Sequence, residues 1–193
     1  MKYDEIFEKD MKGMNFVLAA FIGMNIMCSC GNSKKQIAES REKDCKKIVQ
    51  KSDGTIYLDL NRADCYNDLK DPSGNTAEWD VVVSKSGRYD VWISSATKDT
   101  TNLKYKNPVR INVQFSRLEG HPACDKIVHD AGDVTFPYFR ADSFVGSMYL
   151  PDTGEYSFQV ISDKILPSDF RGADVSDADI SKLISVSFKP SVR

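Results

Sequence analysis

The stretch that decides the fold is AEWDVVVSKSGRYDVWI, residues 77–93. Apolar and polar residues alternate through both of its halves, which is the pattern of β-strands with one buried face. The buried faces are predicted to carry Trp79, Val81 and Val83 in the first half and Tyr89, Val91 and Ile93 in the second. Between the halves, residues 84–87 (SKSG) have the composition of a tight turn. The stretch therefore predicts a β-hairpin whose second strand points Arg88, Asp90 and Trp92 away from the core.

The same alternation recurs on both sides of this hairpin. Strands are predicted over residues 55–60, 109–116, 144–150, 156–161 and 183–189. Val109, Ile111, Val113 and Phe115 alternate with polar residues, so they are expected on one face. No long amphipathic helix competes with these strands. The pattern predicts an all-β protein, an antiparallel β-sandwich or jelly roll.

The hairpin also resembles a known family. Residues 77–93 follow the W-x-V-x-V-x-x-x-G-x-Y-x-V pattern of galactose-binding-like β-sandwiches, which include carbohydrate-binding modules similar to families 6 and 35. Residues 148–162 (MYLPDTGEYSFQVIS) and 180–190 (ISKLISVSFKP) resemble a second hairpin and the last strand of that family. The resemblance covers residues 54–190 and implies the galactose-binding-like fold and carbohydrate binding. The loop between residues 164 and 180 departs from the sugar-binding modules, which often place an Asn there, so the fold carries over better than the site.

The N-terminal segment predicts export. Residues 15–27 (NFVLAAFIGMNIM) form an apolar run that is shorter than the roughly 20 residues of a membrane-spanning helix. Such a run is typical of a signal peptide, and the following Met-Cys-Ser-Cys resembles a bacterial lipobox with Cys30 as the acylated residue. We therefore expect a signal peptide over 1–29, a tether with a short helix over 30–53, and the sandwich over 54–193. The expected location is the bacterial cell envelope, as an outer membrane lipoprotein that faces the periplasm or the surface.

Charge and cysteine content restrict the function classes further. The formal net charge of −2 does not indicate nucleic-acid binding, which typically requires an excess of basic residues. Export leaves Cys45, Cys65 and Cys124 in an oxidising compartment, where one disulfide and one free thiol, or three free thiols, are equally compatible with the spacing. The Cys45–Cys65 pair is slightly favoured, because it would tie the leading segment to the first strand.

Exposed aromatic residues are the candidate ligand-binding groups. Sugar rings stack their apolar C–H faces on flat aromatic side chains and need polar partners for their hydroxyls. The candidates combine the outward Trp92 with loop residues: Trp92, Tyr66, Asn67, Tyr105 and Tyr138. The competing interpretation is structural, since large aromatic residues are usually well buried.

Two clusters of metal-ligating residue types stand out. Related sandwich modules often hold a structural calcium ion, and the resemblance makes Asp174, Asp177 and Asp179 candidate ligands; a solvated acidic loop is the alternative. His121, Cys124 and His129 have residue types that suit zinc, but they lack the spacing of a metalloprotease helix.

The predicted function is non-catalytic carbohydrate binding at the cell envelope. The chain has two histidines and no G-x-S-x-G motif, so nothing indicates nucleophilic catalysis. The expected partners are a glycan and, through the lipid anchor, the membrane. One alternative is a structural or accessory protein that binds another envelope protein, and a less favoured one is a small jelly-roll enzyme acting on glycans.

Overall fold

A computed structural model describes residues 47–135, 137–166 and 181–192 of the chain. The predicted signal peptide, Cys30, Cys45 and the calcium candidates Asp174, Asp177 and Asp179 lie outside these residues. The strands are β1 (Ile48–Val49), β2 (Ile56–Asp59), β3 (Asp64–Tyr66), β4 (Thr76–Val83), β5 (Gly87–Thr97), β6 (Val109–Val113), β7 (Ser116–Gly120), β8 (Lys126–Val128), β9 (Phe139–Leu150), β10 (Gly154–Ile161) and β11 (Lys182–Pro190). Two short 3₁₀ turns, Leu60–Arg62 and Pro72–Gly74, precede β3 and β4.

The strands form two sheets. One has six strands, in the order β1-β4-β10-β6-β7, with β3 also pairing with β4. The other has five strands, in the order β2-β11-β5-β9-β8. Strand β1 runs parallel to β4, and the other described pairs are antiparallel. The prediction of an all-β, antiparallel β-sandwich is confirmed.

The core lies between the sheets and is built from the inward side of the alternating strands. The hairpin residues that were predicted inward are all buried: Trp79, Val81, Val83, Tyr89, Val91 and Ile93. Phe158 from β10 meets Phe188 from β11 edge to face, with ring centroids 5.0 Å apart, and this contact joins the two sheets. Burying a side chain of this size contributes about 1.5–3 kcal/mol to folding.

The predicted strand over residues 109–116 ends earlier than expected. The chain reverses at Gln114 and Phe115, so that Val113 pairs with Ser116 and the segment forms the hairpin β6–β7. Gln114 has a φ of 49°, which belongs to a turn, and the Phe115 side chain is fully exposed. Phe115 therefore does not continue the buried face of Val109, Ile111 and Val113.

Residues 47–53, which the sequence assigns to the tether, contribute to the sandwich. Ile48 and Val49 pair with Val81 and Val82 of β4, and Ile48 is buried. Gln50, which follows, is buried, and its side-chain oxygen accepts hydrogen bonds from backbone N–H groups of the turn between β4 and β5. Within residues 47–53 the chain forms the two-residue strand β1, and the rest of the predicted tether with its short helix lies outside the described residues.

Candidate functional site

The outer face of the five-stranded sheet carries a row of aromatic side chains. Tyr57 of β2 pairs with Ser187 of β11, Ser187 pairs with Trp92 of β5, and Trp92 pairs with Phe144 of β9. The Trp92 and Phe144 rings are tilted against each other with centroids 5.4 Å apart, and Phe144 is 44% exposed. We call Tyr57, Trp92 and Phe144 the aromatic row.

A row of polar side chains lies next to it on the same face. The register places Asp59, Ser185, Ser94 and Asp142 side by side across β2, β11, β5 and β9. Ser94 Oγ donates to Asp142 Oδ1 over 2.8 Å. Ser185 is 1% exposed, and its Oγ has no hydrogen-bond partner.

An arginine ties a neighbouring loop to this polar row. Arg140 of β9 forms ion pairs with Asp142 (3.1 Å) and with Asp133 (3.2 Å) of the segment before β9. The partly exposed pairs hold Asp133 over the sheet face, where it faces β2 and β11 across a cleft.

This cleft consists of two adjoining cavities that share Leu60, Asn61 and Lys182. We call them together the Asn61 cleft. The first cavity, about 270 Å³, is also lined by Ala63, Cys65, Asn67 and Leu166. The second, about 210 Å³, is also lined by Tyr57, Asp59, Asp133, Leu183 and Ile184. Tyr57 belongs to both the cleft and the aromatic row, so the two features are continuous.

Local sequence explains why Asn61 faces the cleft. Asp59 caps the 3₁₀ turn Leu60–Arg62, and its carboxylate accepts a hydrogen bond from Asn61 N over 2.9 Å. The turn buries Leu60 and leaves Asn61 exposed at the rim. Deeper in the first cavity, Asn67 Oδ1 is buried without a hydrogen-bond partner, so it is available to accept one from a ligand.

The predicted ligand residues Tyr66, which ends β3, and Asn67, which follows it, point to different sides of the chain. Tyr66 pairs with Thr76, whereas its neighbour Cys65 pairs with the inward-facing Ala77. Tyr66 therefore lies on the outer face of the six-stranded sheet, where it is 65% exposed. Asn67 lies on the other side and lines the Asn61 cleft.

Tyr105 lies in the segment between β5 and β6, and Tyr138 directly precedes β9. The Tyr105 ring packs against the core, and its hydroxyl lies 2.8 Å from Ser95 Oγ. Burial raises the pKa of this phenol above its ordinary value, although the Ser95 hydrogen bond opposes the shift. Tyr138 is partly buried, with the Lys98 ammonium 5.0 Å from its ring centroid. The five predicted residues therefore lie in separate parts of the sandwich, with Trp92 in β5, Tyr66 in β3 and the other three in connecting segments, and they do not form one loop cluster.

Within residues 47–135, 137–166 and 181–192, no three His, Cys, Asp or Glu side chains come together as a metal site. Of the residues considered for zinc, His129 packs edge to face on Phe139, with ring centroids 5.2 Å apart. Asp125, next to Cys124, accepts a hydrogen bond at Oδ2 from Phe144 N.

The described cysteines do not form a bridge. Cys65 and Cys124 are free thiols. Cys45, the partner in the favoured pair, lies outside the described residues. Desolvation raises the pKa of both thiols, with Asp64 adding to the effect at Cys65, which disfavours the reactive thiolate.

Five aromatic, amide or charged residues of the cleft were not among the predicted ligand residues: Tyr57, Asp59, Asn61, Asp133 and Lys182. Tyr57 carries a sequence signal, because Ile56 and Leu58 are apolar and the residue between them must face outward. Asp133 and Lys182 are far from Tyr57 in sequence, and only the pairing of the strands brings them together.

No helix in the described ranges has the length and hydropathy needed to cross a bilayer. No protein-family profile matches the chain, and no curated protein matches it in sequence.

The chain is similar to parts of several solved structures. An α-L-fucosidase from Vibrio sp. strain EJY3 is 20% identical, with 77% of this chain and 24% of the fucosidase covered at a TM-score of 0.57. A GH26-CBM35 β-(1,4)-mannanase from Podospora anserina is 11% identical over 73% of this chain and 28% of its own, at a TM-score of 0.42. An insecticidal crystal protein is 8% identical, with 70% of this chain and 21% of the crystal protein covered at a TM-score of 0.40. The chain spans about a quarter of the length of these proteins, and the likeness to the fucosidase establishes a shared β-sandwich fold.

Proposed function

We propose that this protein is a non-catalytic glycan-binding protein, held at the bacterial cell envelope by a lipid on Cys30. The observation that carries the proposal is the continuity, through Tyr57, between the aromatic row and the Asn61 cleft at the β2 edge of the five-stranded sheet. A flat apolar surface beside a polar cleft is what a sugar ring needs, because each ring combines C–H faces with hydroxyl groups.

In this proposal Tyr57 supplies a stacking surface at the mouth of the cleft. Asn61 offers both a donor and an acceptor, Asp59 and Asp133 accept hydrogen bonds from hydroxyls, and the Lys182 ammonium donates to them. Trp92 and Phe144 extend the stacking surface to further sugar units along the face.

The structural comparisons support a glycan-related role at the level of fold alone. Two of the compared proteins are a fucosidase and a mannanase by name, and each is several times longer than this chain. Because one fold hosts many functions, the proposal depends on the side chains of the face and not on the likeness.

A glycan array probed with the full chain and three variants tests the proposal. Tyr57→Ala and Trp92→Ala each remove a stacking surface, and we expect each to weaken binding at least tenfold. Tyr66→Ala removes an exposed tyrosine from the outer face of the other sheet and serves as the matched control, with binding unchanged.

Absence of binding to any glycan by the correctly folded chain would overturn the proposed function. Loss of binding in Tyr66→Ala alone would place the site on the other sheet. Circular dichroism and urea unfolding of each variant separate loss of a ligand contact from loss of the fold.

A further inference from the structure

The outer face of the five-stranded sheet contains a larger cavity at the end opposite the Asn61 cleft. Its volume is about 680 Å³, and it is lined by Gly87, Arg88, Ser147, Met148, Tyr149 and Ser191. Arg88 of β5 and Tyr149 of β9 are paired in register, and Tyr149 is 62% exposed. The cavity therefore offers a guanidinium group beside an accessible aromatic ring.

Cationic side chains accompany two aromatic residues of the outer face, one in its middle and one near the Asn61 cleft. The Lys189 ammonium lies 5.3 Å from the Trp92 ring centroid, and the Lys51 ammonium lies 5.3 Å from the centroid of Tyr57. Such contacts hold a positive charge against a ring face. A neutral sugar would have to displace the lysine to stack there, whereas an acidic sugar can use the ring and the ammonium together.

Two carboxylates lie near this cavity, and both already accept hydrogen bonds within the protein. Asp90 Oδ1 accepts hydrogen bonds from Ser147 Oγ (2.8 Å) and Ser191 Oγ (2.6 Å), which keep the pKa of this carboxyl below its ordinary value. Asp53 lies near Lys51 and Lys85 at the adjacent turn, and its Oδ1 accepts a hydrogen bond from Thr55 N. The outward positions between Trp92 and Tyr149 carry two cations, Arg88 and Lys189, and one carboxylate, Asp90, which interacts with Arg88. Cations therefore exceed carboxylates there by one, whereas the chain as a whole has a formal net charge of −2.

We infer that this cavity is a subsite for the acidic group of a carboxylated or sulfated glycan. The inference deepens the proposed function and rests on it, since it names the class of glycan that the face takes. Arg88 binds the anionic group through paired N–H donors, and Tyr149 stacks on the sugar ring. Ser147 and Ser191 donate their hydroxyl protons to Asp90, so their oxygens accept hydrogen bonds from sugar hydroxyls.

The test compares three polymers in affinity electrophoresis with the full chain: polygalacturonate, dextran sulfate and neutral mannan. We expect the acidic polymers to bind at least tenfold more tightly than mannan at low salt, with a preference that declines as ionic strength rises. Polygalacturonate and dextran sulfate distinguish a carboxylate from a sulfate as the bound anion.

Two charge-removing variants locate the subsite. Arg88→Gln should reduce binding of the acidic polymers about tenfold and leave binding of neutral glycans unchanged. Arg110→Gln, which removes the same charge from the outer face of the six-stranded sheet, should change neither.

If the acidic polymers bind no more tightly than mannan, or if Arg88→Gln binds them like the unmodified chain, the acidic subsite is refuted and the proposed function stands. If none of the polymers binds and the glycan array is also blank, both proposals are refuted. The two failures are therefore distinguishable.

Discussion

Gln50 shows at the residue scale how the leading segment is fixed to the sandwich. Its side-chain oxygen accepts hydrogen bonds from Ser84 N (2.8 Å) and Lys85 N (2.7 Å), and its nitrogen donates to Gly54 O (2.6 Å) and Tyr89 Oη (2.7 Å). One buried amide thus provides a hydrogen-bond acceptor for two backbone N–H groups in the turn of the hairpin that determines the fold. Its role was not predicted from sequence, because its partners are up to 39 residues away.

We expect Gln50→Ala to lower the free energy of unfolding by about 3 kcal/mol, because it leaves several buried polar groups without partners. Urea unfolding measures the change. Gln114→Ala is the matched control: that side chain is exposed and makes one long hydrogen bond, 3.3 Å, to Glu155 O. We expect its effect to stay within about 0.5 kcal/mol. Equal losses in the two variants would contradict this role for Gln50.

The orientation of Trp92 was readable from sequence, but its surroundings were not. Alternation with Val91 and Ile93 predicts that it faces outward, and it does. Its neighbours Phe144, Ser187 and Lys189 come from strands far along the chain, so they follow from strand pairing alone. The same reason explains why Tyr57 and Asp133 could not be assigned to one cleft from sequence.

At the scale of elements, the strands that sequence predicts are those with one fully buried face. β4, β10 and the first part of β5, up to Ile93, alternate regularly because their inner residues form the core. β3 is exposed throughout and β8 has three residues, so neither carries a periodic signal. Both are edge strands, and their positions come from hydrogen bonds to β4 and β9.

Strand β1 supports a prediction at this scale, because its two residues have opposite environments. Ile48 is buried against the core, whereas Val49 is 65% exposed. We expect Ile48→Ala to destabilise the fold by about 2–4 kcal/mol. Val49→Ala should change stability by less than about 0.5 kcal/mol. Thermal or urea unfolding of both variants would reject a structural role for β1 if Ile48→Ala were as stable as Val49→Ala.

At the scale of the whole molecule, the proposed anchor and the proposed binding face complement each other. The described sandwich begins at residue 47, so residues 31–46 would connect it to a lipid on Cys30. Several acyl chains on one cysteine bind a bilayer stably, because each buried CH₂ contributes about 0.8 kcal/mol. A glycan-binding face on such a tether would hold a polysaccharide near the membrane.

Metabolic labelling tests the anchor. When the chain is expressed in a bacterium that processes lipoproteins, we expect labelled palmitate to be incorporated into it. Cys30→Ser should abolish the incorporation, and Cys28→Ser, which changes the neighbouring cysteine, should retain it. Label on the Cys30→Ser protein would assign the modification to another residue.

The central claim is that glycan binds on the outer face of the five-stranded sheet, and hydrogen–deuterium exchange tests it most directly. The full chain is compared with and without the tightest-binding glycan of the array. We predict slower exchange in β2 with the turn Leu60–Arg62, in β11 and in the first half of β5, with little change in β6 and β7 of the other sheet. Protection confined to β6 and β7, or no protection in the presence of bound glycan, would contradict the claim.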